Sequence, residues 1–197
     1  MFIKKHSKKL MMLAATGIVA FPLAVNAAST TIDATARFLQ TITLNNETAM
    51  DFGTIEYSAA PGGADTVTMT TAGALTAAGV FTSAATGTPG SVDVATGSSG
   101  ETVDVYCSTS ATLAETGGAT IDVTGIRVAD AATAAGGGVA CAGGAVVAMS
   151  YVLGSATDTF VFGGVLDGGV TTGTWTDGTY AATTAGGTPI SVDVVYQ

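Results

Sequence analysis

Apolar side chains along this chain return at every second residue. Ile32, Ala34, Ala36 and Phe38 share one face of a run whose other face carries Asp33, Thr35 and Arg37. Val103 and Val105 flank Asp104, Ile121 and Val123 flank Asp122, and Ile126 and Val128 flank Arg127. The last run sets Ile190, Val192, Val194 and Tyr196 against Ser191 and Asp193. A strand sends successive side chains to opposite faces, so a period of two predicts half-buried strands, whereas a helix repeats near 3.6. Turn signals separate the runs: Pro61-Gly62-Gly63, Thr88-Pro89-Gly90, Gly117-Gly118, Gly136-Gly137-Gly138, Asp167-Gly168-Gly169, Asp177-Gly178 and Gly186-Gly187. Short strands between glycine turns predict an all-β sandwich or barrel.

The first of these runs sits unusually early. TTIDATARFLQTITL, Thr30 to Leu44, follows almost directly on what reads as an export signal. Lys4, Lys5, Lys8 and Lys9 form a basic n-region, LMMLAATGIVAFPLAV an apolar h-region, and Val25-Asn26-Ala27 a small-residue cleavage site. Residues 1–27 are therefore expected to be removed, leaving Ala28–Gln197, 170 residues, as one domain. The apolar run is short for a membrane anchor.

Cleavage would change the charge balance sharply. Only Arg37 and Arg127 remain against all fifteen acidic residues, a net of −13, and His6 and every Lys are lost. Without His there is no Ser-His-Asp or Cys-His pair and no imidazole metal ligand. Without Lys there is no Schiff base and no Walker-type phosphate grip. A surface so negative repels nucleic acid and anionic membranes and favours solubility. No cofactor is expected.

Cys107 and Cys141 are the two cysteines, and an even count in an exported chain reads as one disulfide, closing a loop of about 35 residues worth roughly 3–4 kcal/mol in the chain-entropy picture. Gly136–Ser155 carries no charge over twenty residues, but its six glycines favour a Gly-rich loop and one buried strand, Val146–Leu153, over a membrane span. The carboxylates Asp65, Asp93, Asp104, Asp122, Asp158, Asp167, Asp177 and Asp193 are scattered singly, as solvated strand faces and Asx turns would scatter them. A glycosidase would need two converging across a cleft. EF-hand spacing and Asp/Gly nonapeptide repeats are absent. No enzyme and no metal site is expected.

One ordered set of motifs goes beyond composition. Ala34-Thr35-Ala36 leads through Leu39–Leu44 into Met50-Asp51-Phe52-Gly53-Thr54-Ile55. Phe162-Gly163-Gly164-Val165-Leu166, Gly178-Thr179-Tyr180 and the ending PISVDVVYQ, Pro189 to Gln197, come later. This resembles a family of secreted bacterial domains of unknown function with an ATA…LDFGTI opening, a VGGTL-like strand and a GTY…VxVxY ending. That family in turn is similar to the pilins of Gram-negative chaperone–usher fibres, in which an immunoglobulin-like sandwich lacks one strand and a neighbour's N-terminal strand completes it. The chain departs from many pilins in lacking an early cysteine and in having only ten residues between the cleavage site and Phe38.

The resemblance implies an antiparallel immunoglobulin- or pilin-like β-sandwich with one disulfide, and a secreted structural or adhesive subunit at the cell surface. Self-association would proceed by β-strand addition, with a periplasmic chaperone as a possible partner. Ile32, Ala34, Ala36 and Phe38 would be the donor-strand residues, and Ile190, Val192, Val194 and Tyr196 the C-terminal edge strand. An ordinary first strand of a self-complete sandwich is the competing expectation for Thr30–Phe38. The competing function is a monomeric carbohydrate-binding module using Trp175, Tyr180 and Tyr151.

Overall fold

A computed structural model describes residues 35–83, 86–154 and 157–197. Among them lie strands β1 (Thr43–Thr48), β2 (Ile55–Tyr57), β3 (Thr66–Met69), β4 (Leu75–Ala78), β5 (Phe81–Ser83), β6 (Gly90–Thr96), β7 (Thr102–Cys107), β8 (Ala111–Ala114) and β9 (Thr120–Asp130). A 3₁₀ turn (Ala131–Gly136) follows, then β10 (Val139–Ala140), β11 (Met149–Val152), β12 (Asp158–Thr172) and β13 (Val192–Tyr196). Every strand pairing is antiparallel. The fold is an antiparallel β-sandwich of the immunoglobulin-like kind.

The larger sheet is organised around β12. One edge of that strand pairs with β6 over Asp158–Phe162 and then with β3 over Gly164–Asp167, and the other edge pairs with β9. β1 extends the sheet beyond β6, β4 beyond β3, and β8 and β10 beyond β9. The smaller sheet has the order β11-β7-β13, and β2 pairs with β5 separately. Between the two sheets, Val67, Met69, Ile126, Val128 and Phe160 meet Val103, Val105 and Val194, all buried. Each such side chain contributes on the order of 1.5–3 kcal/mol by leaving water. The Cys107–Cys141 disulfide joins the end of β7 in the small sheet to the segment after β10 in the large one. Both sulfur-bearing residues are buried.

The odd spacing between Ile121/Val123 and Ile126/Val128 has a structural cause. β9 is one continuous strand in which Gly125 adopts a left-handed φ of 55°. There the pairing with β12 slips, Thr124 facing Val165 and Arg127 facing Gly163, so one extra residue is accommodated in β9. That bulge flips the alternation, and Val123 and Ile126 both turn into the core.

Three expectations are corrected. Asp167-Gly168-Gly169 is no turn but part of β12, with Asp167 paired to Thr66. Its glycines serve close approach: a Cβ on Gly168 would lie 2.8 Å from Asp65 O and 2.9 Å from Gly62 O. The strand inside Val146–Leu153 is shorter than expected and lies at a sheet edge, with Val146 and Val152 more than half exposed. Finally, residues 35–42 lie outside any strand, and pairing begins at Thr43. Side chains satisfy the backbone just ahead of it: Gln40 N–H donates to Ser98 Oγ, and Thr41 O accepts from Thr96 Oγ1. Ala36 and Phe38 are described there and exposed, whereas Ile32 and Ala34 lie outside the described residues.

By its contacts the chain divides into Met1–Arg37, of which three residues are described, and a compact unit Phe38–Gln197. No helix among the described residues is long and apolar enough to cross a membrane.

Candidate functional site

The sandwich is not closed along its length. A groove of about 1130 Å³ runs into it. Its floor is the inner face of the large sheet: Val92 of β6, Leu113 of β8, Ile121 and Val123 of β9, and Phe162 and Leu166 of β12. One wall is Leu44 with the segment from Glu47 to Ile55, including Met50 and Phe52, and the other is formed by residues 175–183 together with Pro189, Ile190 and Val192. Small-molecule sites run to roughly 300–1,000 Å³, so this opening is at least as large as a generous ligand pocket and is lined by side chains that elsewhere would be core.

The groove has an aromatic end, and a hydrogen-bonded clasp holds the chain ahead of β1. At the clasp the Tyr196 hydroxyl donates to Gln40 O at 2.6 Å and accepts from Ser98 N–H at 2.6 Å. β1 begins just after the clasp and β13 ends at it. β13 pairs with β7 on one side only. Among the described residues no strand is hydrogen-bonded to its other edge. At the aromatic end Trp175 stacks on Tyr180 with centroids 5.4 Å apart and planes 20° apart. Tyr57 meets Trp175 edge-on at 5.9 Å, and Phe81 leans on it at 6.0 Å. Trp175 Nε1 is buried without a conventional hydrogen bond among the described residues. The Tyr57 hydroxyl donates a very short bond to Asp177, which ties the 175–183 segment to β2. That bond is the main reason the phenol's pKa is raised, and the nearby Trp175 indole opposes the rise.

The residues singled out in the sequence fall around this opening unevenly. Val192, Val194 and Tyr196 lie in β13, with Ile190 two residues ahead of it. Trp175 and Tyr180 are brought together, but their faces are spent on each other and on Phe81 rather than offered as a flat sugar platform. Tyr151 is elsewhere, edge-on to Phe160 and hydrogen-bonded to Asp158 at 2.9 Å. Burial, and then that carboxylate, push its pKa up to about 12. The wall segment 49–55 and the floor residues Leu113, Ile121 and Phe162 carried no sequence signal as a site, because apolar residues facing a groove read the same as apolar residues facing a core.

Most of the scattered carboxylates are engaged in local bonds. Asp65 accepts from Gly62 and Val80 N–H, Asp51 from Gly53 N–H, and Asp167 from Gly169 N–H. Asp93 accepts from Thr159 at 2.5 Å and from Asn46 at 2.9 Å, and Asp104 accepts from Ser150 and Gln197, which hold both carboxyls below the usual range. No group of three or more His, Cys, Asp or Glu that could hold a metal ion occurs among the described residues.

A family described as a domain of unknown function, DUF4402, matches residues 41–193. The chain belongs to the DUF4402 family. The matched span of this DUF4402 protein starts one residue after the Gln40 clasp and includes every element that lines the groove. No curated protein and no solved structure matches the chain.

Proposed function

We propose that this DUF4402 protein is an exported structural or adhesive subunit, pilin-like in design, whose copies assemble by β-strand addition. One observation carries the reading: the apolar groove walled by residues 44–55 and 175–192, next to a strand, β13, whose second edge has no hydrogen-bonded strand among the described residues. An open edge presents a row of backbone donors and acceptors, and an extended segment that pairs with it while laying alternate side chains on an apolar floor satisfies both at once. That segment is the N-terminal run of a second copy, with Ile32, Ala34, Ala36 and Phe38 on one face. Phe38 stands 92% exposed, an aromatic side chain that burial against a partner would stabilise. The small side chains of Ala34 and Ala36 suit a shallow floor, and the bulkier Ile32 and Phe38 would anchor the strand.

The carbohydrate-binding alternative is less well supported, because Trp175 and Tyr180 pack on one another.

Removing Ala28–Phe38 tests the proposal. Full-length exported chains should form species that persist on dilution, seen as fibres by negative-stain microscopy, and the truncated chain should remain monomeric with an unchanged far-UV spectrum. Adding a peptide of residues 28–38 to the truncated protein should alter the emission of Trp175, the only tryptophan and a groove residue. Assembly that survives the truncation, or a folded truncated protein whose fluorescence ignores the peptide, would refute strand donation.

A further inference from the structure

Exposed apolar side chains are unevenly spread over this protein. Four of the seven large ones among the described residues, Val139, Val146, Val147 and Val152, lie in one continuous run, with Val146 and Val152 more than half exposed. That run leaves β10 at the edge of the large sheet, passes the disulfide at Cys141 and ends in β11 at the edge of the small sheet. Gly143 N–H donates to Cys107 O and Ala148 N–H to Val105 O, which hold it against β7. Both strands are paired on one side only among the described residues, β10 with β9 and β11 with β7. Leu153 turns its backbone to Glu101 and Gly100 beside β7, so alternation leaves the N–H and C=O of Ser150 and Val152 on the open edge. Natural sheets blunt such edges with Lys, Pro or an inward charge. Here no charged residue occurs between Asp130 and Asp158, and no Pro between Pro89 and Pro189.

We infer that this run is a face on which two copies of the chain meet, β11 against β11. In an antiparallel pairing about a two-fold axis, Ser150 of one copy lies opposite Val152 of the other. Each edge then supplies the donors and acceptors the other lacks, and the small sheets join as β13-β7-β11-β11-β7-β13. Charge selects the occupant. Residues 28–197 carry fifteen acidic side chains and two basic ones. Two copies meeting elsewhere would press carboxylates together with few cations to pair them, whereas this run brings none. A cationic partner would find its complement on the acidic surface instead. Asp104, one strand in from the edge, already accepts from Ser150 and Gln197. The contact is independent of strand addition, because it uses β11 rather than the groove and needs no N-terminal segment. Two short edges make a small interface of the weak, transient class, with a Kd on the order of 100 µM.

Sedimentation velocity of residues 28–197 between about 5 µM and about 1 mM tests the contact. Mass that persists at the lowest concentration belongs to strand addition, and a further rise toward twice that mass on concentration belongs to this face. Amide exchange at Ser150 and Val152 should slow at the higher concentration, since their N–H groups are the ones the second copy would cover. Val152→Lys should weaken the concentration-dependent association by more than about 10-fold, and Val146→Lys should act in the same direction. Val195→Lys, also exposed but on β13, adds the same charge and should leave the association unchanged. A mass independent of concentration would overturn the proposal and leave the face to a different protein. Exchange at Ser150 and Val152 that ignores concentration, or an equal loss with Val195→Lys, would overturn it too. Absence of the persistent mass with the concentration-dependent rise intact would retain this face and reject strand donation alone.

Discussion

Reduction of the Cys107–Cys141 bond should cost this protein a large share of its stability without changing its architecture. The bond spans 34 positions. In the chain-entropy picture, a closed loop of about 35 residues loses roughly 13 cal/mol/K from the unfolded ensemble, or about 3.8 kcal/mol at 25 °C. Whole domains are stable by roughly 5–15 kcal/mol, so the loss should be plain. For a chain of this length it corresponds to a fall in melting temperature of roughly 8–15 °C. The fold itself should persist, because the sheets are also joined by the buried contacts of Val103, Val105 and Val194 with Phe160 and Val128. The assay is urea unfolding of the oxidised protein against the same chain refolded in dithiothreitol, followed by Trp175 emission and far-UV circular dichroism. Using one chain keeps the packed atoms constant, whereas Cys107→Ala with Cys141→Ala would add a cavity cost. The two probes should coincide if unfolding is two-state. A loss under about 1 kcal/mol would refute the entropic argument and mean that the unfolded chain already holds β7 near β10. Loss of the β spectrum on reduction would refute the claim that the core alone specifies the sandwich.

Other expectations follow from single positions. Gly163→Ala should destabilise by about 1–3 kcal/mol or prevent folding, since the new Cβ would fall 2.5 Å from Met69 O and 2.7 Å from Thr70 C, both backbone atoms. Gly136→Ala, with nothing within 4 Å, should change stability by less than about 0.5 kcal/mol in the same denaturation assay. Asp93 and Asp104 have folded pKa values held below the ordinary one, by Thr159 then Asn46 and by Ser150 then Gln197. Their stabilising effect is therefore present above about pH 4 and is lost as pH falls through the folded values; Thr159→Val should flatten the acid limb of a stability–pH curve, and an unchanged limb would refute the assignment. Tyr151 has the opposite sign. Its contribution holds below about pH 10 and fades as pH rises toward about 12, so Tyr151→Phe should remove that alkaline dependence.

The alternation of Val103/Val105, Ile121/Val123 and Val192/Val194 was enough to predict β7, β9 and β13 and an all-β class, because burial of one strand face imposes a period of two on the sequence itself. The disulfide was legible too, since two cysteines have one pairing to make. Three things waited on the tertiary structure. Gly168 and Gly169 read as a turn because glycine permits turns, yet the same missing Cβ admits the backbone of residues 62–65 beside β12. The run through Phe38 alternates like a strand, yet at Gln40 and Thr41 side chains from Ser98, Tyr196 and Thr96 take the backbone groups a ladder would need. The groove is the third. Its floor is apolar for the same reason a core is, and sequence records that a face avoids water without recording what covers it. Only the positions of residues 44–55 and 175–192 determine that Leu113, Ile121 and Phe162 line an opening, because strand order and spacing arise from contacts between residues far apart in the chain.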